Sequence, residues 1–139
     1  MVISAAKATA VLVDDYPAIF GAIGEILQSV CRIVATVSDP QKAVVTIKAC
    51  EPDIVVLDIG MSGMNGFEIA RQLQSAGGRA KILFLTIVED GDYLYAARKS
   101  GASYVIKRRM HLDLVTAVRE MLEGRTFFSP LTAEKNDLS

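Results

Sequence analysis

Five short apolar runs, separated by amphipathic stretches, dominate the hydrophobic pattern of the chain. The runs are rich in Val and Ile, and the first, third and fourth are continuous rather than alternating. Continuous runs of this kind are typical of strands buried on both faces. They cover residues 9–13, 33–37, 54–57, 82–85 and 103–106. We therefore predict five β-strands.

Apolar residues at helical spacing fill the stretches between these runs and follow the last one. The helical stripes fall in residues 19–30, 43–47, 67–74, 93–97 and 115–122. Asp39 and Pro40 suit the N-cap and the first position of the second helix. Glycines that can end the third, fourth and fifth helices follow their stripes, at Gly77-Gly78, Gly101 and Gly124.

The fivefold alternation of strand and helix predicts a doubly wound α/β fold, with a parallel sheet between two layers of helices. Crossovers between the strands are expected to be right-handed. We expect one domain over residues 1–124. Residues 125–139 show no period, become polar from Ser129 onward and contain Pro130. We expect a linker or a disordered tail there.

Composition narrows the class of protein. The 139 residues can bury a sizeable core, and 51% of them are hydrophobic. A formal net charge of −1 gives no long-range attraction to nucleic acid or to an anionic membrane. No apolar stretch approaches the roughly 20 residues that cross a bilayer, and the N-terminus lacks a signal-peptide pattern. Cys31 and Cys50 lack metal-ligand spacing. We expect a cytoplasmic protein without a membrane partner.

Acidic residues stand where two of the predicted strands end. Asp14 and Asp15 follow the first strand, and Asp58 follows the third. In an open α/β sheet, ligands bind at the carboxyl ends of the strands, so these acids converge if the two strands are neighbours. Two unit charges about 4 Å apart repel by about 4 kcal/mol at an effective dielectric of 20. A cation would balance them, and Mg²⁺ suits oxygen ligands best. The alternative is three solvated loop acids.

A hydroxyl and an ammonium group are predicted at the same edge. Thr86 ends the fourth strand and Lys107 ends the fifth. Carboxylates, a metal ion, a hydroxyl and a lysine together are what the binding of a phosphoryl group requires. The metal and the lysine neutralise its charge, and the hydroxyl donates a hydrogen bond.

This set of residues, together with the segment DIGMSGMNGFE after the third strand, resembles the receiver domain of two-component response regulators over about residues 8–124. The segments VLVDDYPAIFGAIGEIL and GRTFFSP are most similar to receivers of LuxR/FixJ-type transcription regulators. The resemblance implies a flavodoxin-like three-layer sandwich with strand order 2-1-3-4-5. It also implies a signalling switch rather than an enzyme. The one reaction expected of the switch itself is hydrolysis of its own phosphoryl group.

The same resemblance implies roles for the acidic residues. Asp58 would accept a phosphoryl group from a histidine kinase or a phosphotransfer protein. Asp15, Asp58 and the backbone carbonyl of Gly60 would bind Mg²⁺ directly, and Asp14 would assist through a water molecule.

A second group of residues would respond to phosphorylation. Lys107 would pair with the phosphoryl group, Thr86 would move toward it, and Tyr104 would rotate inward. This movement would alter the face built by the fourth helix, the fifth strand and the fifth helix. We expect Tyr93, Leu94, Val115 and Val118 to add apolar surface to that face, through which a homodimer could form.

Several positions depart from the receiver pattern. Ser62 replaces a frequent Pro, and the large Ile87 is expected to crowd the phosphoryl pocket. Arg108 replaces the Pro that often follows the lysine, which argues against a cis peptide there. In receivers the side chains two residues beyond the acceptor and two beyond the threonine overlook the path of the attacking water. Here they are Gly60 and Val88.

We interpret the chain as the receiver part of a transcription regulator, and two alternatives stay open. The chain could be a stand-alone receiver that acts on a protein partner. It could also be a phosphohydrolase that forms an aspartyl phosphate, although such enzymes carry Asp-x-Asp at the first strand and this chain has adjacent Asp14 and Asp15. Arg108 and Arg109 are expected to be solvated. DNA binding would therefore require a domain outside these residues.

Overall fold

The computed structural model describes residues 7–131. Within them, five parallel strands form one sheet in the order β2-β1-β3-β4-β5. The strands are β1 (Ala8–Val13), β2 (Cys31–Val37), β3 (Ile54–Leu57), β4 (Lys81–Thr86) and β5 (Ser103–Ile106). The helices are α1 (Ile19–Leu27), α2 (Ala43–Cys50), α3 (Gly66–Ser75), α4 (Gly91–Lys99) and α5 (Met110–Leu122). The predicted fold class and strand order are confirmed.

The sheet separates two buried clusters of apolar side chains. One cluster packs under α2, α3 and α4 and includes Val11, Val55 and Phe84. The other packs under α1 and α5 and includes Leu12 and Leu83. Successive residues of a strand point to opposite faces, so each central strand must be apolar at every position. This explains why the apolar runs are continuous rather than alternating.

Helices begin and end at the capping residues and glycines that the sequence indicates. Asp39 accepts a hydrogen bond from the backbone N–H of Gln41 at 3.0 Å, and Pro40 opens a short 3₁₀ turn that leads into α2. Gly77, Gly101 and Gly124 adopt positive φ directly after α3, α4 and α5. None of the described helices is long and apolar enough to span a membrane.

Pairing of the strands continues past their ends and positions the acidic residues. The N–H of Asp14 donates to the carbonyl of Val37 at 3.1 Å, and the N–H of Asp58 donates to the carbonyl of Val13 at 3.0 Å. Because β1 lies between β2 and β3, Asp14 and Asp58 leave the same edge of the sheet side by side.

Residues 127–131 are packed against β5, which differs from the predicted disordered tail. The N–H of Tyr104 donates to the carbonyl of Phe127 at 2.9 Å, and Leu131 is only 1% exposed. An edge strand leaves backbone N–H and C=O groups without a partner strand, and this segment forms hydrogen bonds with those of Tyr104 in β5. The segment is too short to show a period, so the pattern of the sequence does not reveal it. Residues 1–6 and 132–139, which belong to the predicted domain and tail, lie outside the described residues.

Candidate functional site

Three carboxylates meet at the carboxyl edge of the sheet. Asp14, Asp15 and Asp58 each offer one oxygen, and these oxygens lie within 4.8 Å of one another. Asp14 is buried and Asp58 is 6% exposed, whereas Asp15 is exposed. The convergence expected from the strand ends is therefore present in the structure.

Lys107 is the cation that the structure places among these acids. Its Nζ lies 2.8 Å from Oδ2 of Asp14 and 3.7 Å from Oδ2 of Asp58. Burial raises the pKa of Asp58, and so do the charges of Asp14 and Asp15. Lys107 and the N–H of Gly60 act in the opposite direction without cancelling the rise. The single positive charge of Lys107 thus does not neutralise the three carboxylates of the acidic cluster.

The donor set at this edge fits a hard divalent cation. Its side-chain donors are carboxylate oxygens, the ligands that Mg²⁺ accepts, and a single lysine does not balance three acids. Oδ2 of Asp15 accepts a hydrogen bond from the N–H of Ser62 at 3.0 Å, which orients that carboxylate. A proline at position 62 could not donate this bond. Gly60 lies in the loop directly after Asp58, and its carbonyl as a ligand remains a prediction.

The N-terminus of α3 lies directly against the backbone of Asp58. The N–H of Gly66 donates to the carbonyl of Ile59 at 2.9 Å. A Cβ atom added at Gly66 would lie 2.3 Å from the backbone oxygen of Asp58. Asn65 caps the helix by accepting a hydrogen bond from the N–H of Glu68 at 3.0 Å. Sequence reasoning missed this positioning role, for which the Asn-Gly pair before a helical stripe was the available signal.

Thr86 and Tyr104 are linked through the loop after β4. Oγ1 of Thr86 accepts a hydrogen bond from the N–H of Val88 at 3.2 Å. The hydroxyl of Tyr104 donates to the carbonyl of the same Val88 at 2.6 Å. The tyrosine ring is fully buried, and burial raises its pKa to about 12. Tyr104 therefore already occupies the inward position in this structure.

Ile87 does not fill the site. Its side chain is 76% exposed, so the predicted crowding of the phosphoryl pocket is not seen. Thr86 is buried, whereas the side chain next to it points into solvent.

The two arginines after Lys107 form ion pairs, with Arg108 exposed as predicted and Arg109 half-buried. Nε and Nη2 of Arg108 donate to the two carboxylate oxygens of Glu89, both at 2.8 Å, and join the loops that follow β4 and β5. Arg109 donates to Asp113 through Nε at 2.8 Å and Nη2 at 3.2 Å. Peptide bonds within residues 7–131 are trans, including the one between Lys107 and Arg108.

The expected output face is covered in part. Leu94 and Val118 are buried in the core, because each lies on the side of its helix that faces the sheet. Tyr93 is 38% exposed and Val115 is half-buried, so these two add apolar surface as predicted. The edge of β5 is occupied by residues 127–131 of the same chain. A homodimer through α4, β5 and α5 would therefore meet this segment rather than an open strand edge.

Comparisons with known proteins agree on one family. A family model described as the response regulator receiver domain matches residues 10–119. Transcriptional regulatory protein DesR of Bacillus subtilis is 29% identical over 136 residues, covering 92% of this chain and 67% of DesR. Oxygen regulatory protein NreC of Staphylococcus epidermidis is 31% identical over 121 residues, covering 84% of this chain and 56% of NreC. The chain thus spans about two thirds or less of these relatives.

Solved structures share the fold. A two-component response regulator of the LuxR family from Aurantimonas sp. SI85-9A1 has a TM-score of 0.84 and 30% identity, covering 94% of this chain and 99% of that chain. The signal receiver domain of NarL from Mycobacterium tuberculosis has a TM-score of 0.80 and 27% identity, covering 87% of this chain and all of that chain.

Proposed function

Because this chain belongs to the response regulator receiver domain family, we propose that it is a phosphorylation-controlled switch whose acceptor is Asp58. The donor is a histidine kinase or a phosphotransfer protein. The observation that carries the proposal is the position of the Asp58 carboxylate, which is nearly buried beside Asp14, Asp15 and Lys107 at the carboxyl edge of the sheet.

The chemistry is a transfer of a phosphoryl group between two side chains. A carboxylate oxygen of Asp58 forms a bond to phosphorus while the bond from phosphorus to the donor's histidine nitrogen breaks. The leaving imidazole keeps the electron pair of that bond. Lys107, which lies 3.7 Å from Asp58, can shift from Asp14 toward the new phosphoryl oxygens. Its positive charge then stabilises the negative charge that collects on them.

A bound Mg²⁺ would add charge neutralisation at the phosphoryl oxygens. Asp15, Asp58 and the carbonyl of Gly60 would hold it, with Asp14 assisting through a water molecule. The acidic cluster and its shortage of positive charge support this assignment.

Thr86 and Tyr104 carry the response away from the acceptor. The hydroxyl of Thr86 donates to a phosphoryl oxygen, which draws the loop after β4 toward Asp58. The carbonyl of Val88 in that loop holds the Tyr104 hydroxyl, so the tyrosine is retained in its inward position. The state of the acceptor thus reaches β5.

The names of the relatives support a role in transcription control. DesR is a transcriptional regulatory protein, and NreC is an oxygen regulatory protein. Since this chain spans only part of each, we propose that it is the receiver part of such a regulator. DNA binding then belongs to a separate domain, and the receiver sets its activity.

Mass spectrometry after incubation with acetyl phosphate and Mg²⁺ tests the acceptor. We expect wild type to gain the mass of one phosphoryl group, and Asp58→Asn to gain none. Asp39→Asn is the matched control, because Asn also caps a helix and Asp39 is not one of the three carboxylates of the acidic cluster.

A separate variant tests the assignment of the metal ligands. Asp15→Ala should lose labelling and remain folded, because removal of one crowded carboxylate relieves repulsion. Normal labelling of Asp15→Ala would refute the metal site. Labelling of Asp58→Asn, or catalytic turnover of acetyl phosphate without a stable adduct, would refute the switch and favour a phosphohydrolase.

A further inference from the structure

We propose that the edge of β5 is a binding groove for residues 127–131, and that phosphorylation of Asp58 tightens the hold of this groove on them. The segment then transmits the state of the acceptor to the part of the protein that follows residue 131. This inference rests on the proposed function and adds the element through which the signal leaves the domain.

Backbone hydrogen bonds attach the segment to the strand edge. The N–H of Tyr104 donates to the carbonyl of Phe127 at 2.9 Å, and the N–H of Ser129 donates to the carbonyl of Tyr104 at 2.8 Å. Phe128 therefore forms a parallel bridge with Tyr104. The segment adds itself to the sheet as a short strand would, and it pairs both edge-facing backbone groups of Tyr104.

Side chains around the groove recognise the segment from both flanking helices. The guanidinium of Arg98 on α4 lies 4.4 Å from the centre of the Phe128 ring. On the other side, Oγ of Ser129 donates to Oδ2 of Asp113 on α5 at 2.7 Å. The same Oγ accepts from the N–H of Ile106 at 3.2 Å. Ser129 is only 2% exposed, so these are buried hydrogen bonds that a side chain without a hydroxyl would leave unmade.

A second serine completes the attachment at the start of the segment. Oγ of Ser103, the first residue of β5, accepts a hydrogen bond from the N–H of Phe127 at 3.1 Å. At the far end, Leu131 is buried in the same apolar cluster as Tyr104 and Ile106. The segment is thus fixed at its beginning, middle and end.

The groove connects to the acceptor site through one residue. Tyr104 binds the segment through its backbone and the carbonyl of Val88 through its hydroxyl, at 2.6 Å. The N–H of Val88 in turn donates to Oγ1 of Thr86 at 3.2 Å. A continuous line of hydrogen bonds therefore runs from the predicted phosphoryl-binding hydroxyl to the docked segment.

The direction of the coupling follows from packing. The Tyr104 ring and Leu131 belong to one buried cluster, so a ring that left the core would open a cavity in the cluster that holds Leu131. The inward ring and the docked segment thus stabilise each other. Phosphorylation, which retains the ring through the loop after β4, should tighten the docking. By linkage, loosening the segment must weaken binding of a phosphoryl analogue by the same factor.

The test uses the full chain with Mg²⁺ and beryllofluoride as the phosphoryl analogue. Hydrogen exchange read by NMR should show slower exchange of the Tyr104 and Ser129 amides when beryllofluoride is bound. Phe128→Ala should weaken beryllofluoride binding about fivefold or more, within the usual range of coupling between sites. Thr126→Ala is the matched control, because Thr126 is exposed and precedes the segment, and its affinity should equal that of wild type.

Arg98→Gln is a second variant that cannot open a cavity, since Arg98 is exposed on α4. It removes the cation above Phe128 and should weaken beryllofluoride binding in the same direction, which decides the matter if Phe128→Ala fails to fold. Normal labelling of Asp58, combined with unchanged amide exchange and wild-type affinity in the folded segment variants, overturns the groove and leaves the switch intact. A wild type that does not label at all overturns both.

Discussion

Lys107 lies closer to one of the two buried carboxylates of the site than to the other. Its ammonium lies 2.8 Å from Asp14 but 3.7 Å from Asp58. Burial and the neighbouring acids raise the pKa of Asp58 despite the lysine. Perturbed carboxylates of this kind concentrate at functional sites. The Lys107 ammonium therefore pairs with Asp14 and leaves the carboxylate of Asp58, the predicted acceptor, less well neutralised.

The lifetime of the phosphorylated state is predicted to depend on Gly60 and Val88. Hydrolysis needs a water in line with the phosphorus, and neither residue has a side chain that could orient it. We expect slow loss of the phosphoryl group from wild type. Gly60→Asn and Val88→Glu should each accelerate it by about tenfold or more, measured as decay of labelled protein.

Steric space permits the first of these substitutions. A Cβ atom at Gly60 would meet nothing within 4 Å, and the same holds for Gly91 at the start of α4. Gly91→Asn therefore controls for the replacement of an exposed glycine and should leave the decay unchanged. Rapid loss from wild type that neither Gly60→Asn nor Val88→Glu alters would contradict the prediction.

Among the elements, α3 lies directly against Asp58, the predicted acceptor. Its first residue, Gly66, packs against the backbone of Asp58 with no room for a side chain. The loop between them is closed by the hydrogen bond from Gly66 to Ile59. The helix thus sets where the acceptor residue sits, although it contributes no side chain to the acidic cluster.

Gly66→Ala is predicted to displace the acceptor. The new methyl group would lie 2.3 Å from the backbone oxygen of Asp58, and two backbone segments cannot separate without cost. We expect a loss of about 1–3 kcal/mol in the free energy of unfolding, as for other overpacking substitutions. Labelling by acetyl phosphate should also slow. Urea unfolding and mass spectrometry measure the two effects.

A helical glycine elsewhere provides the contrast. Gly24 lies inside α1, and a Cβ atom there would meet nothing within 4 Å. Gly24→Ala should stabilise the chain by up to about 1 kcal/mol, the difference in helix propensity between the two residues. Equal stability of Gly66→Ala and wild type would show that α3 does not constrain the acceptor.

At the scale of the whole molecule, one buried carboxylate joins α5, β5 and the segment of residues 127–131. Asp113 accepts hydrogen bonds from Arg109 and from Ser129. Burial acts to raise its pKa, but these hydrogen bonds and the charges of Arg109 and Arg108 outweigh burial. The pKa of Asp113 is therefore lowered from its usual value.

The lowered pKa predicts a specific loss of stability in acid. A carboxyl whose pKa is lower in the folded state stabilises the fold above its unfolded value, here 3.8. That stabilisation disappears as the pH falls through the lower, folded value. At pH 7, Asp113→Asn should reduce the free energy of unfolding by about 1–3 kcal/mol, the usual range for hydrogen bonds to a charged group.

Urea unfolding at a series of pH values measures this difference. The gap between wild type and Asp113→Asn should narrow as the pH is lowered below 3.8, and it should close once the pH is below the lower, folded pKa of Asp113, where both side chains are uncharged. Asp92→Asn, which removes an exposed carboxylate at the start of α4, controls for the change in net charge. A gap that stays constant across this range would mean that the charge of Asp113 does not contribute.

Much of the fold was predictable from consecutive residues. The continuous apolar runs, the helical stripes and the glycines after α3, α4 and α5 reflect periods and backbone preferences that act over a few positions. The placement of Asp14, Asp15, Asp58, Thr86 and Lys107 at strand ends follows from the same pattern. Parallel strands bring their ends to one edge, so the composition of the candidate site followed as well.

Tertiary structure alone decided how distant residues are paired. The sequence does not indicate that Lys107 lies closer to Asp14 than to Asp58, or that Asp58 leaves no space above Gly66. Nor does it show that residues 127–131 dock on β5, because a segment of five residues has no period and its partners lie on three other elements. Such contacts depend on the packing of elements far apart in the chain, whereas local patterns report only neighbours along it.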